Sequence, residues 1–170
     1  QMCIRDRLNI LTNSLSPNLA RLTQDKFNCN KKAKSIGVIT PKNIRLKSNH
    51  DIKSIYDKIK FPCFVKPNSG GSSIGISKVT ELKDLENAVN IAFKEDKVIL
   101  IEEYIEGREF SVGVIEWRNK IKILPITEIK TQNIFFDYEA KYSGKSEEIT
   151  PAKISNKLQN QLKSNILKIY

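Results

Sequence analysis

An α+β fold is what this sequence predicts: a small sheet crossed by one helix and joined to the start of a second, antiparallel sheet. Three observations carry that expectation. Cys63–Lys66 and Val98–Ile101 are short apolar runs of the kind that form buried strands. Between them Leu82, Leu85, Val89, Ala92 and Phe93 make one apolar stripe, with Glu81, Lys83, Asp84 and Glu86 outside it, which predicts an amphipathic helix. After Gly107, the residues Phe110, Val112 and Val114 alternate with Glu109, Ser111 and Gly113, the period of a half-buried antiparallel strand. A doubly wound sheet is excluded, because no strand is followed by GxGxxG and a helix, and the GxxxxGK[ST] phosphate loop is also missing.

The remaining elements follow in order. Gln1–Arg7 is polar with no apolar stretch behind it, so it is no signal peptide and reads as an assembly artefact or a frayed end. Leu8–Leu22 is weakly patterned. Thr23 is placed to cap a helix over Gln24–Ser35, with Gly37 as its stop and Pro41 beyond. Ile52, Ile55, Tyr56 and Ile59 recur at helical spacing, and Pro62 ends that segment. The Cys63–Lys66 strand is stopped by Pro67, and a second strand runs from about Ile74 to Val79. Thr80 is placed to cap the striped helix. Arg118-Asn119 reads as a hairpin tip, with Ile121 and Ile123 continuing the sheet. Residues 133–145 are aromatic, charged and without regular period, a long structured loop. Ser155 caps a last helix with Ile154, Leu158, Leu162, Ile166 and Ile169 on one face; that helix has no stop signal before Tyr170, so the chain is expected to be cut there.

Composition narrows the function classes. The 170 residues carry 39% hydrophobic side chains, enough for a real core, and a net charge of +10 from 29 basic and 19 acidic residues. The lysines are spread along the chain with no basic block, and aromatics do not interleave with arginines. The surplus therefore reads as solvated surface plus a few anion-binding lysines, and no nucleic-acid partner is predicted. Three cysteines without metal spacing and a single histidine, His50, argue against a disulfide scaffold, a Cys/His metal centre and an acyl-enzyme hydrolase, and favour a reducing cytoplasm. No apolar run reaches membrane-spanning length.

The stretch FPCFVKPNSGGSSIG, Phe61–Gly75, is the most informative. Lys66 closes a hydrophobic strand, and a loop with Gly70, Gly71, Ser72 and Ser73 follows. Backbone N–H groups and hydroxyls there can wrap phosphate oxygens while the ammonium supplies point charge; an ordinary Gly/Ser hairpin loop with an exposed lysine is the alternative. Glu102 and Glu103 end a buried strand, where a carboxylate or backbone group could accept from an adenine amine, or where a strand-end charge pair would sit. Glu109 could accept from ribose hydroxyls or be a plain edge-strand carboxylate. In FFDYEAKY, Lys141 and Tyr142 could reach a ligand and Phe135 and Phe136 cover one, unless the segment is a self-packed Ω-loop. Lys26, early in its helix, is awkward beside a positive helix end and more credible with an anion nearby. Together these residues outline a nucleotide site distributed over several strands.

FPCFVKPNSGGSSIGISKV, VILIEEYIEGREFSVGV and LPITEI…FFDYEAKYSGKSEEITPA resemble the D-alanine–D-alanine ligases, of the ATP-grasp fold, in unbroken order over about Leu22–Tyr170. FFDYEAKY is the specific part; other ATP-grasp enzymes share the lysine strand, glycine loop and Glu-Glu pair without it. The resemblance implies that Lys26 and Lys66 bind ATP phosphates. It also implies that Gly71, Ser72 and Ser73 form the flexible phosphate-covering loop, with Ser72 near the substrate. Glu102, Glu103, Tyr104 and Ile105 would be the adenine hinge and Glu109 the ribose carboxylate. Phe135–Tyr142 would be an ω-loop in which Lys141 touches the γ-phosphate and Tyr142 holds the substrate loops, in the dipeptide-forming pattern. The implied catalytic residues are Ser72, Lys141 and Tyr142, and the implied cofactors are ATP and Mg²⁺. The implied activity joins two D-alanines through an acyl phosphate for peptidoglycan, in the cytoplasm, by an enzyme commonly homodimeric. Another ATP-grasp carboxylate–amine ligase and a non-catalytic nucleotide-binding module are the alternatives. On this reading 1–22 is poorly matched, 23–45 is a linker helix, 46–107 is the central lobe, and 108–170 begins the C-terminal lobe with an ω-loop at 133–146. The fold would be truncated at both ends, the magnesium ligands expected beyond Tyr170, and the fragment inactive alone.

Overall fold

The computed structural model describes residues 15–47, 52–131 and 146–170. Its first elements correct the sequence reading. The one helix expected over Gln24–Ser35 is two: α1 spans Pro17–Gln24 and α2 spans Lys26–Ser35. Asp25 makes the break. Its backbone is extended and its carboxylate accepts from the Asn28 N–H at 2.9 Å, the bond that starts a new helix. Thr23 caps nothing; its hydroxyl donates back to the Leu19 and Ala20 carbonyls at 3.1 Å, inside α1. The stop of α2 is as expected. Gly37 has φ +81°, its N–H donates to Lys34 O at 3.1 Å, and Val38 N–H donates to Ala33 O at 3.0 Å, the paired bonds of a Schellman end.

The central sheet has strand order β1-β4-β2-β3, built from β1 (Asn43–Lys47), β2 (Cys63–Pro67), β3 (Ser77–Val79) and β4 (Val98–Glu103). Every neighbouring pair is antiparallel, with Phe64 opposite Glu102 and Lys66 opposite Leu100. Helix α3 (Leu82–Glu95) and a 3-10 helix (Ile52–Lys58) supply the other half of the core. Leu85, Ala88, Val89 and Ala92 of α3 pack with Val65, Ile99 and Ile101 of the sheet, all of them buried. The stripe predicted for this helix is right apart from its first member: Leu82 stands in the first turn, 46% exposed, and Ala88 takes a core place. Glu81, not Thr80, is the cap residue, and its side chain makes no capping bond. The segment at Ile52 presents the expected apolar face but winds as 3-10 rather than α. The strand expected from Ile74 is only three residues, Ser77–Val79.

Beyond the first sheet the alternating run at Phe110 does not stay in one strand. β5 (Glu109–Ser111) pairs with β8 (Thr127–Thr131), whereas β6 (Val114–Trp117) pairs with β7 (Lys120–Ile123) as a separate two-stranded ribbon. Gly113 is the switch: its carbonyl accepts from Leu124 N–H at 2.9 Å, and a Cβ there would lie 3.0 Å from Leu124 Cδ1. A side chain at 113 would crowd the leucine, so the backbone approach that ends one sheet and starts the next favours glycine. The ribbon's tip is as read, with Arg118 and Asn119 at φ +52° and +59°, the left-handed pair of a tight hairpin. β9 (Ser146–Ile149) adds to β8, and α4 (Asn156–Ile169) starts where Ser155 Oγ accepts from Leu158 N–H at 3.3 Å. None of the α4 residues is buried. Among the described residues no helix is long and apolar enough to cross a membrane.

Candidate functional site

The pleat of the central sheet decides which side chains meet. Cys63 and Val65 of β2 face α3, so Phe64 and Lys66 face the opposite way. On β4, Ile99 and Ile101 face α3, which leaves Leu100 and Glu102 beside Lys66. Lys66 Nζ donates to Glu102 Oε1, and the side chains are 18% and 10% exposed. Helix α2 lies over this face: Asn30 Nδ2 donates to the other carboxylate oxygen, Oε2, at 3.2 Å. Both oxygens of Glu102 are therefore engaged by protein groups, so the adenine-amine role read for its carboxylate meets competition from Lys66 and Asn30.

Lys26 opens α2 and reaches the end of β2. Its ammonium donates to the carbonyls of Pro67 at 3.1 Å, Asn68 at 3.4 Å and Gly70 at 3.2 Å. Burial, and next the Lys66 charge, push Lys26 below the ordinary lysine value, against the pull of Asp96 and Glu102. The glycine loop is pinned at its start by Asp96, whose Oδ2 accepts from Ser69 N–H at 2.7 Å. It then runs through left-handed backbone at Gly70 (+96°), Ser72 (+54°), Ser73 (+59°) and Gly75 (+70°). Two serines in that region store strain of about 1–2 kcal/mol each, and turns of this kind present N–H groups to anions. Gly75 is required as glycine: a Cβ would lie 2.7 Å from Glu95 Cγ. Gly71, Ser72, Ser73 and Lys26 line one cavity with Pro67 and Glu95.

The residues expected to form the adenine hinge divide. Glu103 faces away from Lys66, and its Oε1 accepts from Lys42 N–H at 2.7 Å at the β1 edge. Tyr104 N–H donates to Pro62 O at 3.3 Å. Its ring lies 6.0 Å from Phe64 and 3.9 Å from Lys78 Nζ. Ile105 is 59% exposed. Glu109 is exposed on β5 opposite Ile129, in a different sheet from Lys66. Its neighbour Arg108 donates to both oxygens of the buried Glu128, at 2.7 and 2.8 Å, and to Lys153 O at 2.9 Å. Phe135, Lys141 and Tyr142 lie outside the described residues.

The structure thus brings Lys26, Lys66, Glu102 and the glycine loop onto one face of one sheet. Sequence reading missed Asn30, Asn68, Lys78 and the Arg108–Glu128 pair. Asn68 left a trace, being a polar residue directly after a buried strand; Asn30 left none, because its role depends on how α2 crosses the sheet.

Residues 33–170 match the family described as D-ala D-ala ligase C-terminus. A D-alanine–D-alanine ligase of Flavobacterium johnsoniae is 48% identical over 139 residues, 81% of this chain and 43% of the relative. That of Flavobacterium psychrophilum is 47% identical over 166 residues, covering 98% and 44%. Among solved structures, a D-alanine–D-alanine ligase from Bacillus anthracis superposes with TM-score 0.83 at 30% identity, over 99% of this chain and 55% of that one. The chain spans about half the length of the curated relatives it matches. With the family match running from α2 to the last residue, this chain belongs to the D-alanine–D-alanine ligase family, on an ATP-grasp fold.

Proposed function

We propose that the protein carrying this chain is an ATP-dependent ligase that joins two D-alanines. The carboxylate oxygen of one D-alanine attacks the γ-phosphorus, the bond to the β-phosphate oxygen breaks, and ADP leaves. The amine of the second D-alanine then attacks the acyl carbon, loses a proton and expels inorganic phosphate. The observation that carries the reading is the Lys26 ammonium held at the glycine loop, with Lys66 on the same face of the sheet beside Glu102 and the Glu103–Ile105 segment at the sheet's other end. A superposable Bacillus anthracis ligase was solved with ATP, at 26% identity and TM-score 0.80.

In this reading Lys26 and Lys66 neutralise phosphate charge, and Gly71, Ser72 and Ser73 close over the phosphates. Backbone groups near Glu103, Tyr104 and Ile105 meet the adenine, with Phe135 covering it, and Glu109 takes the ribose. Ser72, Lys141 and Tyr142 orient the substrates. Such a site works by positioning and charge compensation rather than by covalent chemistry. The implied magnesium ion is assigned no residue and no step, since among the described residues no three Asp, Glu, His or Cys side chains converge. Cytoplasmic location, a homodimer and a role in peptidoglycan precursor synthesis belong to the same proposal.

The test is ADP release by the full-length protein with D-alanine, D-serine or D-lactate as acceptor. The D-serine arm is motivated by a D-Ala:D-Ser ligase from Enterococcus faecalis that superposes at TM-score 0.75 and 30% identity. D-alanine-dependent ADP release with dipeptide formation is expected; release indifferent to D-alanine would overturn the reading.

A further inference from the structure

We propose that Asn68 is a positioning residue for the nucleotide phosphates: it locks the first turn of α2 to the end of β2 and thereby holds the Lys26 ammonium at the glycine loop. The inference rests on the nucleotide reading of this site and names a residue that reading does not use.

Lys26 and Lys66 come from elements far apart in the chain, and a lysine side chain is too flexible to keep its ammonium in place unless its backbone is fixed. Lys26 is also the first residue of a helix, where three successive N–H groups have no partner within the helix. All three are met from outside. Lys26 N–H donates to Asn68 O at 3.0 Å, Phe27 N–H to Asn68 Oδ1 at 3.0 Å, and Asn28 N–H to Asp25 Oδ1 at 2.9 Å. The Asp25 carboxyl that caps Asn28 is held below its ordinary value against its burial, first by Asn28 and next by the Asn68 side chain. Its N–H donates to Val98 O at 2.9 Å, so the same residue is stitched to the start of β4. It is 5% exposed, and its carbonyl is one of the three that receive the Lys26 ammonium.

One buried asparagine thus caps a helix with both its backbone and its side chain, two residues after Lys66. A cation in the first turn of a helix is unfavourable alone. Here the carbonyls of Pro67, Asn68 and Gly70 offset that charge, and phosphate oxygens offset it further. Losing the Asn68 side chain leaves the Phe27 N–H without its acceptor and frees α2 to shift, carrying Lys26 away from the loop while the β-strand residues stay where they are.

The experiment is calorimetric titration of ATP and of adenosine into the full-length protein and its variants Asn68→Ala, Lys26→Met and the double variant. Asn68→Ala is expected to weaken ATP about 5- to 30-fold and leave adenosine unchanged. In the Lys26→Met background it is expected to add nothing, because the two residues act through one ammonium. Equal weakening of ATP and adenosine, unchanged ATP affinity, or losses that simply add would each overturn the proposal. If Asn68→Ala does not fold, Asn68→Ser carries the same comparison, since its hydroxyl keeps a polar group in place but is too short for Phe27. Failure of the unsubstituted protein to bind ATP while the Asn68→Ala variant still shows faster amide exchange at Phe27 would remove the nucleotide reading, and the positioning role with it, yet leave the helix cap.

Discussion

Glu102 is 8% exposed and lies in an inner strand of the sheet, between a lysine from β2 and an amide from α2. A carboxylate so placed is tolerated only while paired. Lys66→Met removes the pair's cation and leaves the carboxylate buried. The expected results are a stability loss of about 1–3 kcal/mol in urea, discounted for the residual exposure of both side chains, and weaker ATP binding. Glu102→Gln should lose less stability, because Lys66 can still reach solvent. Cys63 shows the opposite physics. Burial pushes its thiol up to about 11 from 9.0. Between those values the unfolded chain has lost the proton and the folded chain has kept it. Stability is therefore undiminished below pH 9 and falls as pH rises toward 11, by at most about 3 kcal/mol. Alkylation at pH 8 followed by mass spectrometry should modify the half-buried Cys29 well before the buried Cys63. Equal labelling of the two would contradict the packing described for β2.

At the scale of elements, α3 separates what periodicity can say from what packing decides. Leu82 and Leu85 are equivalent in a helical stripe, yet one is 46% exposed and the other fully buried. Leu85→Ala is expected to cost about 2–5 kcal/mol and Leu82→Ala less than about 1 kcal/mol, read from urea midpoints at constant slope. The strands β2 and β4, the stop at Gly37, the cap at Ser155 and the hairpin tip at Arg118-Asn119 were legible because each is dictated by local chemistry. The break at Asp25 was not, because a threonine and an aspartate two residues apart both qualify as caps and only the docking of α2 selects between them. The division of the Phe110 run between two sheets was also invisible, since alternation persists through Gly113 while the pairing partner changes. For the site, Lys66 and its loop were legible from type and spacing. The grip of Lys26 on three carbonyls and the engagement of Glu102 by Asn30 depend on how α2 crosses the sheet, which no local pattern encodes.

For the whole molecule, the Arg108–Glu128 pair ties the turn before β5 to β8 and, through Lys153, to the approach to α4. The hydrogen bond from Arg108 holds the Glu128 carboxyl below its ordinary 4.5, against burial, with the Arg108 and Lys130 charges adding to the effect. The pair's contribution is thus present above about pH 4.5 and lost as pH falls through the folded-state value. Glu128→Gln should flatten the acid limb of the stability profile and leave neutral-pH unfolding of the first sheet unchanged. A profile of unaltered acid slope would contradict that assignment.

The β6–β7 ribbon has a spectroscopic consequence. It carries the chain's single tryptophan, Trp117, 54% exposed with the Arg118 guanidinium 5.8 Å from its ring. Indole emission therefore starts red-shifted and reports on the ribbon rather than on α3 and the central sheet. Unfolding of the central sheet, or the nucleotide binding proposed at Lys66, can proceed with little change in that signal. The tyrosine at 104, packed between Phe64 and Lys78, is the chromophore placed to register it.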